Sequence, residues 1–107
     1  MSFALDGWSI GRFDDVEWSP WGSSGNARAK VLANGDGYYA ALVEAEPGYA
    51  GDPHEHAATE FLYVVEGTLR TQGEVLTQGD AYVAATGSVH EEFAAPDGAT
   101  YLSIFKL

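Results

Sequence analysis

Turn signals punctuate this chain at short intervals. Asn34-Gly-Asp-Gly, Glu66-Gly67, Gln72-Gly73, Gln78-Gly79-Asp80 and Pro96-Asp-Gly separate apolar runs of only a few residues. Glycine and proline at such places preset the backbone for reversal, and runs this short suit strands rather than helices. No stretch sustains a 3.6-residue periodicity, so little helix is expected. Strands are expected at 28–33 and 38–45, joined as a hairpin through Asn34-Gly-Asp-Gly, and over 54–66 as a strand pair or one long bent strand. After a turn at Glu66-Gly67, further strands are expected at 68–72, 74–77, 81–85, 89–95 and 99–106. Residues 1–27 hold Trp8, Trp18, Pro20, Trp21 and a Gly-Ser-Ser-Gly break at 22–25. They read as an arm and loop whose aromatics pack on the strands. Eight or more short strands fit a sandwich or a closed barrel.

The chain has 107 residues, the size of one domain, and such a chain buries about two thirds of its unfolded surface. It has no cysteine, which removes disulfides, thiolate metal sites and cysteine nucleophiles. Its formal charge is −11, from 16 acids against 5 bases. A surface so acidic repels a phosphate backbone and an anionic bilayer, so neither nucleic acid nor membrane is an expected partner. Met1-Ser-Phe-Ala-Leu-Asp lacks the basic start and apolar run of a signal peptide, and no segment approaches the ~18 apolar residues of a membrane span. A cytoplasmic protein is the expectation.

All three histidines of the chain fall where one site could use them. In an extended strand residues i and i+2 share a face, so His54 and His56 project together. Glu60 has the same parity and joins them if the strand continues or bends gently. His90 follows later in a Gly-Ser-Val-His run. Imidazoles and a carboxylate converging on a point suit Fe(II), Mn(II), Ni(II), Co(II) or Zn(II) without distinguishing among them. Glu55 and Glu91 point the other way by parity. Glu92 shares parity with His90 and is a candidate acid/base in the cavity. Tyr39, Tyr63 and Tyr82 are candidate pocket hydroxyls, although tyrosine in a strand more often packs. Leu62 and Val64 share Glu60's parity and should wall the cavity. Phe61, Tyr63 and Val65 then face outward, an apolar face that suggests a homodimer.

The spacing Gly48, His54, His56, Glu60, Gly67 resembles the first motif of the cupin superfamily, G-x5-H-x-H-x3-E-x6-G, without a gap. The second motif, G-x5-P-x-G-x2-H-x3-N, is matched in spacing by Gly79, Ala85, Gly87, His90 and Ala94. Ala85 stands for the proline and Ala94 for the asparagine. Neither position is a metal ligand in the family, though the second alters the pocket wall near His90. The chain is similar to compact microbial cupins, among them those related to aryl-ketone dioxygenases and the cupin domain of zinc-dependent anti-sigma factors. The resemblance implies an all-β fold, a double-stranded β-helix or jelly roll. One cupin domain then spans 1–107, with an arm at 1–27, a barrel at 28–107, and the motifs at 48–67 and 79–94. It also implies that neighbouring strands bring His90 to His54, His56 and Glu60, which together hold one divalent metal and leave two positions open in an octahedral shell.

On this reading the chain is a mononuclear metalloenzyme, dioxygenase-like with Fe(II), acting on a small carbonyl, diketone or aromatic molecule. Metal-dependent isomerase or decarboxylase chemistry is an alternative. A second class is a small-molecule-sensing module. Residues 1–27 are too loop-like to hold the metal-binding helical domain that precedes the cupin in such regulators, so a sensor of this length would act through a separate partner or its own dimer. A third class, a metal that only braces the barrel, fits poorly with open coordination positions.

Overall fold

The computed structural model describes residues 6–106. After a 3₁₀ turn at Phe13–Asp15 come eleven strands: β1 (Ser19–Pro20), β2 (Ala27–Gly35), β3 (Tyr38–Ala45), β4 (Tyr49–Ala50), β5 (His54–Glu55), β6 (Glu60–Thr71), β7 (Glu74–Thr77), β8 (Ala81–Ala84), β9 (Val89–His90), β10 (Phe93–Ala95) and β11 (Ala99–Lys106). No α-helix occurs among the described residues. The main sheet runs β1-β2-β3-β11-β6-β10-β4, with β7 and β8 also on β6, while β5 and β9 pair apart from it. Every pairing is antiparallel. The fold is a jelly roll.

The β2–β3 hairpin closes on Asp36 and Gly37, both at positive φ (53° and 83°), the backbone that matches strand twist in a two-residue turn. Gln72 and Gly73, at 51° and 78°, close β6 onto β7 in the same way.

Two strand expectations are corrected. Glu66-Gly67 is not a turn but a bend inside one twelve-residue strand, β6. Its first half pairs with β8 and β11, and its second half with β7 and β10. A register shift opposite Thr100/Tyr101 marks a bulge there. The inward residues are Leu62 and Val64 before it and Leu69 and Thr71 after it, the change of parity that one extra residue produces. Gly67 permits the bend: its φ is 86°, and a Cβ would lie 2.5 Å from the Gly98 carbonyl oxygen. Of the two readings of 54–66 the structure has two strands, β5 and β6, separated by Ala57–Thr59. Residues 89–95 are not continuous, because they divide at Glu91-Glu92. At that break Gln72 Oε1 accepts from the backbone N of Glu91 (2.7 Å) and Glu92 (3.1 Å). A side chain thus satisfies amides that leave one ladder before joining the next.

The core comprises the inward faces of β3, β6 and β11, with Ala41, Val43, Leu62, Val64, Leu69 and Tyr101 buried. Each large aliphatic member contributes about 1.5–3 kcal/mol on burial. Before β2 the chain crosses the outside of the sheet. Gly11 runs flush with β2, where a Cβ would lie 1.7 Å from Leu32 O. Lys30 is buried beneath the arm, its ammonium 3.7 Å from the Phe13 ring and 5.0 Å from that of Trp18. Trp21 packs on Phe105 at 5.7 Å, whereas Trp8 is 76% exposed, unlike the packed aromatic expected.

Candidate metal centre

The short β5–β9 ladder pairs His54 directly with His90. His56 follows, its N–H donating to Ser88 O and its carbonyl accepting from Gly87 N, both at 2.8 Å. Turn and ladder bring three imidazoles together, with ring centroids 4.8, 5.3 and 5.4 Å apart. One ring nitrogen from each lies within 4.8 Å of the others.

Hydrogen bonds orient the rings. His54 Nδ1 meets Asp52 O at 2.9 Å, His56 Nδ1 meets Ser88 O and Oγ at 3.2 and 3.1 Å, and His90 Nε2 meets Thr71 Oγ1 at 2.7 Å. A carbonyl only accepts, so His54 and His56 carry the proton on Nδ1 and present Nε2 bare. The remaining nitrogens of the two buried rings, His56 Nε2 and His90 Nδ1, are buried with no hydrogen-bond partner. Leaving such atoms unsatisfied costs about 1–3 kcal/mol each. A metal ion is an occupant that satisfies both, and the donor set suits one. Burial holds the His90 imidazole below the ordinary histidine range, the other two imidazoles acting in the same direction and the Glu60 charge against it. The neutral ring is the form that ligates.

Glu60 adjoins the three imidazoles. Its Oε1 is 3.3 Å from His56 Nε2 and accepts from Tyr82 Oη at 2.9 Å, while its Oε2 accepts from Ser103 Oγ at 2.8 Å. Burial, then the Glu60 charge, lifts the Tyr82 hydroxyl well above the usual phenol range. Glu92 is directed elsewhere. Its Oε1 accepts from Gly73 N at 2.9 Å and its Oε2 lies 3.8 Å from Arg70, so it braces the β6–β7 turn. The parity shared with His90 is broken at Glu91-Glu92, where β9 ends before β10 begins. Tyr39 stacks on Phe105 and Tyr63 is exposed, leaving Tyr82 as the candidate hydroxyl at the site.

The imidazoles line a cavity of about 520 Å³ whose walls include Trp21, Tyr49, Leu62, Tyr82, Phe93 and Tyr101. Asp52, Glu55, Glu60 and Lys106 are its charged members. A larger hollow, about 750 Å³ and bordered by Glu44, Glu46, Glu66 and Asp97, shares no residue with it and carries no imidazole. Ser103, Thr71 and Ser88 were not singled out in the sequence. Ser103 did leave a signal: it interrupts the inward row Ala99, Tyr101, Ser103 of β11 with a hydroxyl, and a buried hydroxyl needs a partner.

The model of the ChrR cupin-like domain matches residues 8–106. The chain belongs to that cupin family. Among individual proteins, this cupin is 28% identical over 97 residues to the pectin degradation protein KdgF of Dickeya dadantii, covering 81% of this chain and 84% of that one. The crystal structure of Rhodobacter sphaeroides SigE in complex with the anti-sigma ChrR superposes with a TM-score of 0.75 at 25% identity, over 89% of this chain and 52% of that one. This cupin therefore spans about half of that chain. An acetylacetone dioxygenase from Acinetobacter johnsonii superposes with a TM-score of 0.74 over 99% of this chain and 80% of that one. At 12% identity that likeness shows the fold alone.

Proposed function

We propose that this cupin is a mononuclear metalloenzyme of dioxygenase type, with Fe(II) as its metal and a small neutral carbonyl, diketone or aromatic compound as its substrate. The observation that carries the reading is the pair of buried, unpartnered nitrogens, His56 Nε2 and His90 Nδ1, facing His54 at the base of an aromatic-walled cavity. His54, His56 and His90 would hold the ion, with Glu60 a candidate fourth ligand. When bound, a divalent ion there supplies Lewis acidity, and a redox-active one supplies electron transfer as well.

The chain's own residues do the rest. The aromatic walls bind a flat ligand and exclude water. Tyr82 and Ser103 keep Glu60 turned toward His56, where its carboxylate would either complete the set that holds the ion or, left free of it, serve as a proton acceptor beside the site. Charge favours a neutral ligand. Among the described residues lining the cavity, Lys106 is the one lysine or arginine, against Asp52, Glu55 and Glu60. Arg28 and Arg70 face Glu44 and Glu92, so neither serves a substrate carboxylate. This supports carbonyl or diketone chemistry over an anionic sugar fragment. The same reading takes the working form to be a cytoplasmic homodimer.

The test begins with metal content after anaerobic purification without chelator, followed by oxygen uptake over diketones and aryl ketones. About one iron per chain, with uptake that His54→Ala abolishes, is the expected result. Full turnover of a confirmed substrate by His54→Ala and His90→Ala removes the metal mechanism, while nickel, manganese or zinc at that level turns the reading to isomerase or decarboxylase chemistry. A second reading, a sensing module, draws on the family match to ChrR and on the ChrR chain that is bound to a sigma factor. A stoichiometric protein partner co-purifying with a chain that turns over none of these compounds would favour it.

A further inference from the structure

The cavity that holds the imidazoles has a second polar end. Trp21, Tyr49 and Tyr101 line it together with Phe93, and the two tyrosines are only 5% and 2% exposed. Tyr101 and Ser103 share the inward row of β11. This end therefore stands two residues, about 7 Å, along the strand from the hydroxyl that holds Glu60. Phe93 spans the interval. Its ring meets His90 edge-on at 5.3 Å, Tyr101 at 5.3 Å and Tyr49 at 6.2 Å. An interval walled in this way suits a single aromatic ring of a ligand.

The direction of the hydrogen bonds leaves one proton over. The Tyr101 hydroxyl bonds both Trp21 and Tyr49. An indole N–H only donates, so Tyr101 accepts from Trp21 and gives its own proton to the Tyr49 oxygen. The Tyr49 hydrogen then meets no acceptor among the described residues. Asp52 acts on it through charge alone, and Asp52 Oδ2 accepts from Ser23 Oγ at 2.9 Å. The backbone leaves room for this hydroxyl, since a Cβ at Gly22 would lie 2.9 Å from Tyr49 Oη. A phenol buried so far normally finds a partner for its proton. The Asp52 charge disfavours an anion in that role, which leaves a neutral oxygen.

We infer that the Tyr49 hydroxyl is a specificity-determining donor, binding a neutral acceptor oxygen of the ligand one aromatic ring away from the oxygens that face the ion. Tyr101 and Trp21 are positioning residues that fix the direction of this donor. The role rests on the metalloenzyme reading and narrows its ligands to carbonyl compounds with a further ether or carbonyl oxygen at the far end.

Two probes of one shape test it: para-methoxybenzoylacetone, which carries the acceptor oxygen, and para-ethylbenzoylacetone, which has a methylene in its place. Each is titrated by calorimetry into protein loaded with Zn(II), which has no redox chemistry of its own, and zinc content is measured on every sample. The wild type should favour the methoxy compound about fivefold. Tyr49→Phe, which keeps the ring against Phe93, should bring that ratio to about one. Tyr101→Phe should lower it in part, by releasing the Tyr49 hydroxyl from its fixed direction. A wild type that binds both compounds alike overturns the inference, as does a preference that Tyr49→Phe leaves intact. A ratio untouched by Tyr101→Phe removes the positioning role. A chain that takes up no zinc overturns the metal reading as well, and a zinc-loaded chain that binds neither compound overturns the ligand class.

Discussion

Replacing His90 with phenylalanine should be nearly neutral in the metal-free protein and costly in the metal-loaded one. Without metal, the buried His90 Nδ1 has no partner, a penalty of about 1–3 kcal/mol that an apolar ring of similar shape removes. Against this, the variant loses the 2.7 Å hydrogen bond between His90 Nε2 and Thr71 Oγ1 and leaves the buried Thr71 hydroxyl unpaired, again about 1–3 kcal/mol. The edge-on contacts with Phe93 at 5.3 Å and Tyr82 at 6.0 Å are geometries a phenyl ring can keep. The two penalties offset, so the metal-free variant should match the wild type to within about 2 kcal/mol. Unfolding a 107-residue chain releases roughly 0.22 kcal/mol/K, so 2 kcal/mol moves the melting point by about 9 °C. With metal at about a hundred times its dissociation constant, the wild type gains about 2.7 kcal/mol, roughly 12 °C, and the variant should gain almost none. Differential scanning fluorimetry with chelator and then with added Fe(II), Ni(II) or Zn(II) reads both arms. A metal-free variant more than about 2 kcal/mol less stable than wild type, or one keeping the full metal shift, would refute the account of the unpartnered nitrogens.

Three further outcomes follow from the same geometry. Ser103→Ala removes a buried donor to the Glu60 carboxylate and should lower stability by about 1.5–3 kcal/mol in urea titrations, so a loss under about 0.5 kcal/mol would show that Ser103 does not hold Glu60. Tyr82→Phe should leave the phenolate absorbance gained near pH 10 unchanged, because burial and Glu60 keep that hydroxyl protonated. Its pKa is raised in the fold, so Tyr82 adds stability below the unfolded value of about 10 that is lost as pH climbs beyond it; loss of one phenolate's absorbance in the folded variant would contradict this. Gly67→Ala combines a positive φ of 86° with a Cβ contact of 2.5 Å to Gly98 O and should cost about 2 kcal/mol or more by chemical denaturation; a change within about 0.5 kcal/mol would mean the bend absorbs a side chain.

Much of the architecture was written in local chemistry. Gly37, Gly73 and Gly79 sit at positive φ in the turns their neighbours suggested, and alternation placed Leu62 and Val64 inward and Phe61, Tyr63 and Val65 outward. The three imidazoles were also legible, since spacing and motif together put them in one place. Parity failed wherever a strand ended or bulged. Glu92 lies just past β9, and its direction is set by Gly73 N and Arg70, partners nineteen or more residues away in sequence. The Glu66-Gly67 pair reads as a turn on composition alone. Only the Gly98 backbone pressed against it shows a strand passing from one half of the barrel to the other. Trp21 reaches the cavity from a segment with no site-like pattern, and only the tertiary fold brings it there.

The β5–β9 ladder holds two residue pairs and stands apart from the main sheet. A strip so short has little cooperative strength of its own, so its opening need not disturb the barrel behind it. An ion shared by His56 and His90 would staple the ends of the long excursion through β6, β7 and β8, a closure that grows in worth with the length it spans. The stiffness of this mouth then belongs to its occupant more than to the polypeptide. The amides of Asp52, His54 and Glu55 and those from Gly87 to His90 should exchange with solvent freely in the metal-free protein and slow sharply when the staple is in place.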